Sequence, residues 1–474
     1  MLATPDLIAM DACALVERLR DGSLTPHDLL DAFEARIKAV DDKVNALPTL
    51  CFERARAHAD RLMRRPAAQR GCLAGLPIPI KDLTDVEGVR TTYGSPIFAD
   101  NVPKKSNILV ETLEANGGIV YAKSNTPEFG AGAQTFNEVF GATRNPWNTS
   151  RSAAGSSGGA AVALATGMAC VAHGSDMGGS LRNPASFCGV VGLRPSLGRV
   201  AKTPGSQIDG TLSVEGPMAR NVEDLALLLD AMTGENPADP LSLATPPTSF
   251  LDAARSGWRP LKIAYSADLG ITPVDPEVAA ITKAAAARLA DADAAVEEAH
   301  PDLSEAHECF QVLRALGFAI GRGKLLREHR DLLKPEVIWN IEKGLRLSID
   351  EIARAEAQRV VLTQRMLAFF AQYDLLLCPA TITAAFPIEQ RYLEACAGKI
   401  FDSYIDWLAI AYAITLACCP ALSLPCGFTG EDLPVGLQIV APPRAEARLL
   451  AGAKLLEDIL GLRGKTPIAP RVVH

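Results

Sequence analysis

The chain has 474 residues, 48% hydrophobic and 22% charged, with a formal net charge of -8. These are the proportions of an ordinary globular protein, long enough for one large core or for two or three domains. The acidic balance, with no basic stripe interleaved with aromatics, argues against a nucleic-acid binder, and the basic run Arg61 to Arg65 reads as a solvated helix end.

The N-terminus carries acids in its first turns and no basic stretch before an apolar core, so a signal peptide is not expected. The longest apolar run, Ala160 to Ala172, is shorter than the roughly 20 residues that span a bilayer. A soluble, cytoplasmic protein without a membrane partner is expected. Eleven cysteines are scattered without a C-x-x-C pair, and they read as reduced, mostly buried small residues. Seven histidines make no H-E-x-x-H pattern, so a metal site is not expected.

In chain order, residues 6 to 20 read as a first helix. Thr25-Pro26-His27-Asp28 starts a second, with Thr25 as N-cap, Pro26 at the first position, and Leu29, Leu30, Phe33 and Ile37 on one face. A third covers about 51 to 64. These three amphipathic helices pack on a sheet or on a second protomer, which leaves a homodimer open. Residues 75 to 82 form a strand ending in Lys81-Asp82, with Pro77 and Pro79 removing donors from one edge. A helix over 106 to 117 and a strand over 119 to 123 follow. This alternation predicts an α/β fold.

Further on, Ala160 to Ala172 reads as an Ala-rich helix, and Asn221 caps another helix. Residues 234 to 260, rich in Pro, Ser and Thr, read as a surface connection. A strand over 261 to 265 precedes an Ala-rich helix from Asp275 to about His300, and helices continue to about 370. Ser348-x-x-Glu351 is a capping box for the longest of them. Asp374 to Pro379 reads as a buried strand, 421 to 425 with 435 to 440 as a hairpin, and 444 to 460 as a final helix. Strands on both sides of 234 to 260 favour one sheet shared by both halves.

Two clusters of small residues flank the Ala-rich segment: Gly155-Ser156-Ser157-Gly158-Gly159 and Gly178-Gly179-Ser180. Glycines beside serine allow close backbone approach and positive φ. Asp176-Met177-Gly178-Gly179-Ser180 presents successive N–H groups before a hydroxyl, which suits an oxyanion hole feeding its own nucleophile. A serine nucleophile needs a base. His173 is near in sequence but reads as a structural histidine. The formal G-x-S-x-G at Gly155 to Gly159 follows a polar loop, Asn145 to Arg151, instead of the apolar strand of a hydrolase elbow. Lys81, at the end of a buried strand, could lose its proton through desolvation, although a strand-end lysine is ordinarily structural.

These segments, with Gly174 to Arg182 and Phe187 to Pro195, closely resemble the amidase signature family. Leu76 to Asp82, Lys123 to Phe129, Gly216 to Asp224 and Pro420 to Val440 resemble its other recurring segments, in the family's order. The resemblance implies a single large α/β domain over 1–474, with a mixed twisted sheet covered by helices on both faces. In that frame the signature core covers about 70–230, the surface connection about 234–260, and a helical insertion about 300–371 that shapes the substrate pocket.

It also implies a Ser–cis-Ser–Lys triad: Ser180 as nucleophile, Ser156 as bridging serine after a cis Gly155–Ser156 peptide, and Lys81 as base. The N–H groups of Met177, Gly178, Gly179 and Ser180 would hold the oxyanion. Ser157, Asp176 and Arg182 would brace the loops. The implied reaction is hydrolysis of a small carboxylic amide through an acyl-enzyme without metal or cofactor, with esters and carbamates open to the same chemistry. The alternative is the amidase subunit of a glutamine-dependent tRNA amidotransferase. Such subunits carry a tyrosine-rich segment where this chain has Val360 to Phe370. For the acyl pocket, Phe129, Phe136, Phe140, Phe310, Phe318 and Trp339 are candidates, which points to an apolar or aromatic amide.

Overall fold

A computed structural model of the chain describes residues 4–203, 211–260 and 262–473. Its centre is a mixed eight-stranded sheet. The strand order is Ala295–Glu298, Lys262–Tyr265, Leu375–Pro379, Pro434–Val440, Ala421–Phe428, Val191–Arg194, Val214–Ala219 and Val171–Asp176. The first three run parallel, and the remaining neighbours pair antiparallel. Strands from both sides of 234–260 share this sheet, as expected.

The period-2 geometry of a strand explains how the sheet carries two cores. Leu375 and Leu377 enter one hydrophobic cluster, with Leu228, Val278, Leu449 and Leu450 from the helices Val222–Met232, Pro276–Ala287 and Glu446–Leu460. Leu376 and Cys378 enter the other, with Phe310, Met366 and Ile414 from Ala306–His329, Ile349–Phe370 and Ala409–Leu416. The helices thus cover both faces of one domain. A third, small cluster of Ala131, Phe318, Leu326, Leu333, Val337 and Ile341 joins Ala306–His329 to Pro335–Leu345 beside the functional cavity.

The N-terminal strands depart from a single shared sheet. Pro77–Lys81 pairs in parallel with Ile119–Ser124, and Thr49–Leu50 completes a separate three-stranded sheet. The register of the first pair shifts between Ile78 and Pro79, where proline lacks a donor. This small sheet abuts the Val171–Asp176 edge of the large one. The Lys81 N–H donates there to His173 Nδ1 (3.3 Å) instead of to a ladder carbonyl.

Local signals place most helices. Thr25 accepts from the Asp28 N–H and Asp28 answers at the Thr25 N–H, so the capping box opens Pro26–Val44. Ser348 and Glu351 do the same for Ile349–Phe370, which at 22 residues is shorter than the 24-residue Ala306–His329. The first expected helix is two, Thr4–Ala9 and Ala12–Asp21. The segment from 160 to 172 is not one helix: Gly158–Ala165 is helical and Val171–Asp176 is a strand. The Asp275 helix ends at Ala287, and Ala295–Glu298 adds an edge strand. The 234–260 connection contains the short helix Phe250–Ala254, whose Phe250 is buried. Leu261, assigned to the next strand, lies outside the described residues. All eleven cysteines are free thiols. Among the described residues, no helix is long and apolar enough to cross a membrane, and no group of three or more His, Cys, Asp or Glu could hold a metal ion.

Candidate active site

The site forms where the small sheet meets the edge of the large one. Pro77–Lys81 delivers Lys81 there, wholly buried. Its Nζ lies 2.7 Å from Ser156 Oγ, 2.8 Å from Ser157 Oγ, 3.0 Å from Ser175 Oγ and 3.4 Å from Ser175 O. Burial pulls the Lys81 amine down from 10.5 to about 7, against the opposing pull of the Glu215 and Asp176 carboxylates. The next residue, Asp82, accepts from the Thr92 hydroxyl (2.6 Å) and pairs with buried Lys123 (3.3 Å), which fixes the turn after the strand.

The Gly155–Ser156 peptide is cis. Ser157 occupies the N-cap position of Gly158–Ala165, and its N–H donates to Ser180 O (3.2 Å), which ties the two glycine-serine clusters together. A Cβ on Gly159 would fall 2.3 Å from Asn125 N, so only glycine lets this helix start against that backbone.

The second cluster is a turn braced by charge. Asp176 ends the strand Val171–Asp176 and accepts from the Gly179 N–H and the Leu181 N–H, both at 3.0 Å. Arg182 grips its carboxylate through Nε (3.1 Å) and Nη2 (2.9 Å), and Arg194 Nη1 donates to its carbonyl (2.6 Å). Burial pushes this carboxyl up, but Arg182 and Arg194 outweigh it and hold it well below the usual carboxylate range. Arg182 also donates to Ala411 O, Gln438 Oε1 and Thr415 Oγ1, so the turn is anchored to the far half of the chain. Because Gly179 donates to Asp176, its N–H is committed to the brace; Met177, Gly178 and Ser180 remain of the four groups expected to face an oxyanion.

Ser156, Ser180, Met177 and Gly178 line one cavity of about 270 Å³. Its apolar wall includes Leu83, Phe129, Phe310, Phe318 and Leu408, and Arg314, Arg322 and Tyr404 add polar groups. Of the aromatic candidates, Phe129, Phe310 and Phe318 are there. Phe136 instead lies under Lys334 and Arg391, Phe140 under Arg90, and Trp339 against Tyr404 and Lys343. Sequence reasoning missed Ser175, Glu215 and Arg194. It set His173 aside as structural; His173 is buried, accepts the Lys81 N–H and contacts Glu215 Oε2 (2.7 Å) through Nε2. Reading 171–176 as a strand would have put His173 and Ser175 on one face.

A buried amine on a hydroxyl, beside a second serine and a turn of N–H groups, can activate an alcohol against a carbonyl. A model of the Amidase family matches residues 28–450. The chain belongs to the amidase signature family. It is similar to an acylamidase of Rhodococcus erythropolis, 35% identical over 471 residues, with 98% of each chain covered. It is also similar to a glutamyl-tRNA(Gln) amidotransferase component of Moorella thermoacetica, 35% identical over 482 residues and covering 96% of this chain and 97% of that one. A bacterial aryl acylamidase of the amidase signature family superposes with a TM-score of 0.88 at 26% identity, covering 97% of this chain and 99% of that one. Like its family, this amidase signature protein is a hydrolase that acts on amides.

Proposed function

We propose that the protein is a stand-alone amidase that cleaves a carboxylic acid amide to the acid and an amine or ammonia through a Ser180 acyl-enzyme. Lys81 is the base and Ser156 the relay. The observation that carries this reading is the 2.7 Å contact between the buried Lys81 amine and Ser156 Oγ, in a cavity that Ser180 also lines. A neutral amine has two N–H groups and one lone pair. Ser157 donates its hydroxyl to Ser175 O (3.3 Å), so it meets Lys81 as an acceptor, and Ser175 Oγ offers a second acceptor at 3.0 Å. The lone pair is then left for the Ser156 hydroxyl.

In this mechanism Lys81 takes the Ser156 proton as Ser156 takes the Ser180 proton. Ser180 Oγ bonds to the acyl carbon, and the N–H groups of Met177, Gly178 and Ser180 hold the oxyanion. The carbon–nitrogen bond breaks as the proton returns through Ser156 to the leaving nitrogen. Water repeats the cycle on the ester. An ester or carbamate meets the same machinery. The helical segment at about 300–371 acts as the specificity unit, since Phe310, Arg314, Phe318 and Arg322 of Ala306–His329 line the cavity. Its aromatic wall, and the likeness to an acylamidase and an aryl acylamidase, favour an apolar or aryl amide.

The test is a panel of aliphatic, aryl and cyclic amides, an ester and a carbamate, run on the wild type and on Lys81→Ala, Ser156→Ala and Ser180→Ala. Near-normal amide turnover by Lys81→Ala would sink the triad. The reading as an amidotransferase component draws on the Moorella relative. It predicts co-purification with partner proteins and glutamine hydrolysis that depends on them; activity of the isolated chain on simple amides speaks for the stand-alone enzyme.

A further inference from the structure

We infer that Arg314 and Tyr404 form a carboxylate-binding subsite, so that the preferred amide carries a carboxylate on the same molecule. This rests on the amidase reading and adds a substrate class to it.

Arg314 sits on Ala306–His329 and is 8% exposed. Its guanidinium lies 4.6 Å from the Phe318 ring centre and 5.8 Å from that of Tyr404, at the cavity wall. Nη2 donates to the Tyr404 hydroxyl (2.7 Å). Among the described residues, Nη1 reaches Met177 Sδ alone (3.2 Å), a weak acceptor. Among the described residues, no Asp or Glu pairs with Arg314. Of the described acids, Glu215 lines the cavity, and its Oε2 is held by His173 (2.7 Å). A buried cation without a counter-charge is costly, and buried charges are ordinarily paired. The natural partner is an anion that arrives in the cavity.

Tyr404 supplies a second donor. Its oxygen accepts from Arg314 Nη2 and from Asn340 Nδ2 (2.6 Å). The Asn340 amide is oriented by its other contact, Nδ2 to Glu336 O (2.7 Å), because a carbonyl can only accept. With both lone pairs of the phenol engaged, its own hydrogen is free to donate, and Tyr404 lines the cavity. A guanidinium fork beside a hydroxyl donor matches the two oxygens of a carboxylate. The contact with Met177 sets this donor pair beside the turn at Ser180, and Phe310, Phe318 and Leu408 supply apolar wall between. A cavity of about 270 Å³ suits a short spacer between the carboxylate and the scissile carbonyl.

The test compares 4-nitroanilides of matched acyl length: the mono-anilides of succinic and glutaric acid against the butyric and valeric anilides. Nitroaniline release gives kcat/KM for the wild type, Arg314→Met, Arg314→Lys and Tyr404→Phe. The wild type is expected to favour the carboxylate anilides by about ten- to hundredfold, mainly through KM. Arg314→Met should remove most of that ratio, Arg314→Lys should keep part of it, and Tyr404→Phe should reduce it. Glutarate should raise the wild-type melting temperature, valerate should not, and Arg314→Met should lose the glutarate shift. A wild type that turns over both series equally, or a ratio unchanged in Arg314→Met, overturns the subsite and leaves the amidase standing. A wild type that cleaves no amide of any class overturns both.

Discussion

If Lys81 is the base, its titration sets the acid limb of catalysis, and the sign of every perturbation to it is fixed by the surroundings. Burial pulls the amine to about 7, while Glu215 and Asp176 oppose that pull. Only the neutral amine can accept the Ser156 proton. Below the inflection the competent fraction falls about tenfold per pH unit, to about 1% two units below it. Glu215→Gln removes one of the two carboxylates that favour the ammonium. The amine is then easier to deprotonate, so the limb moves to lower pH and the variant holds a larger share of its plateau rate at pH 5 to 6. The assay is kcat/KM on an amide from pH 5 to 9 at constant ionic strength. It is paired with the rate of Ser180 labelling by a fluorophosphonate, which reports nucleophile activation without a leaving amine to protonate. His173 touches both Lys81 and Glu215, so His173→Gln is the control: the limb should persist in it. A labelling rate flat from pH 5 to 8, or a limb that moves upward in Glu215→Gln, refutes this role for Lys81.

Three further outcomes follow from the packing. Lys81→Met should stabilise the folded chain at pH 7 by on the order of 4 kcal/mol, because an amine lowered from 10.5 to about 7 costs the fold stability as pH drops between those values; denaturant titrations at pH 7 and near pH 10 should show the gain at the first and little at the second. Asp176→Asn leaves Arg182 and Arg194 without their buried counter-charge and should cost about 3–5 kcal/mol, read as a lower melting temperature together with lost turnover. Gly344→Ala would place a Cβ 2.0 Å from Ala315 O where Pro335–Leu345 crosses Ala306–His329, and should cost about 1–3 kcal/mol by thermal melting.

What the sequence carried and what it hid divide along a physical line. Features written in local chemistry were readable: the Thr25 and Ser348 capping boxes, the buried run Leu375–Pro379, and the hairpin of Ala421–Phe428 with Pro434–Val440. The Ala-rich stretch failed because period is uninformative where every residue is small and buried. Gly158–Ala165 is buried on all sides, so helix and strand look alike at its end, and the helix expected over Ala160 to Ala172 takes in the start of the strand Val171–Asp176. That error hid Ser175 and the setting of His173. Ala295–Glu298 failed for the opposite reason, since it is a largely exposed edge strand with acids at its end. The candidate triad was legible only through the family's long motif, because Lys81 and Ser156 stand 75 positions apart and meet through tertiary structure alone. The cavity wall was half legible: aromatic type pointed to Phe129, Phe310 and Phe318, and nothing local separated them from Phe136, Phe140 and Trp339.

The same contacts explain why reaction chemistry and substrate choice can vary separately on this fold. The turn from Asp176 to Arg182 is locked from below by Arg194, and through Arg182 by Ala411, Thr415 and Gln438. Gly179 has φ +112°, and a Cβ there would fall 2.5 Å from Asn183 Oδ1 and 2.8 Å from Ala411 Cβ. At Gly179 no side chain fits without moving the turn. Phe318, by contrast, packs in a small cluster with Val337 and Ile341, and none of the hydrogen bonds that brace the turn involves it. Substitutions at Phe318 should therefore reshape the cavity and change KM among amides while the Lys81–Ser156 contact and the braced turn hold. Substitutions at Asp176 or Arg182 should remove activity toward every substrate alike. A Phe318→Ala variant that lost activity uniformly across the amide panel would show that the wall and the turn are one mechanical unit.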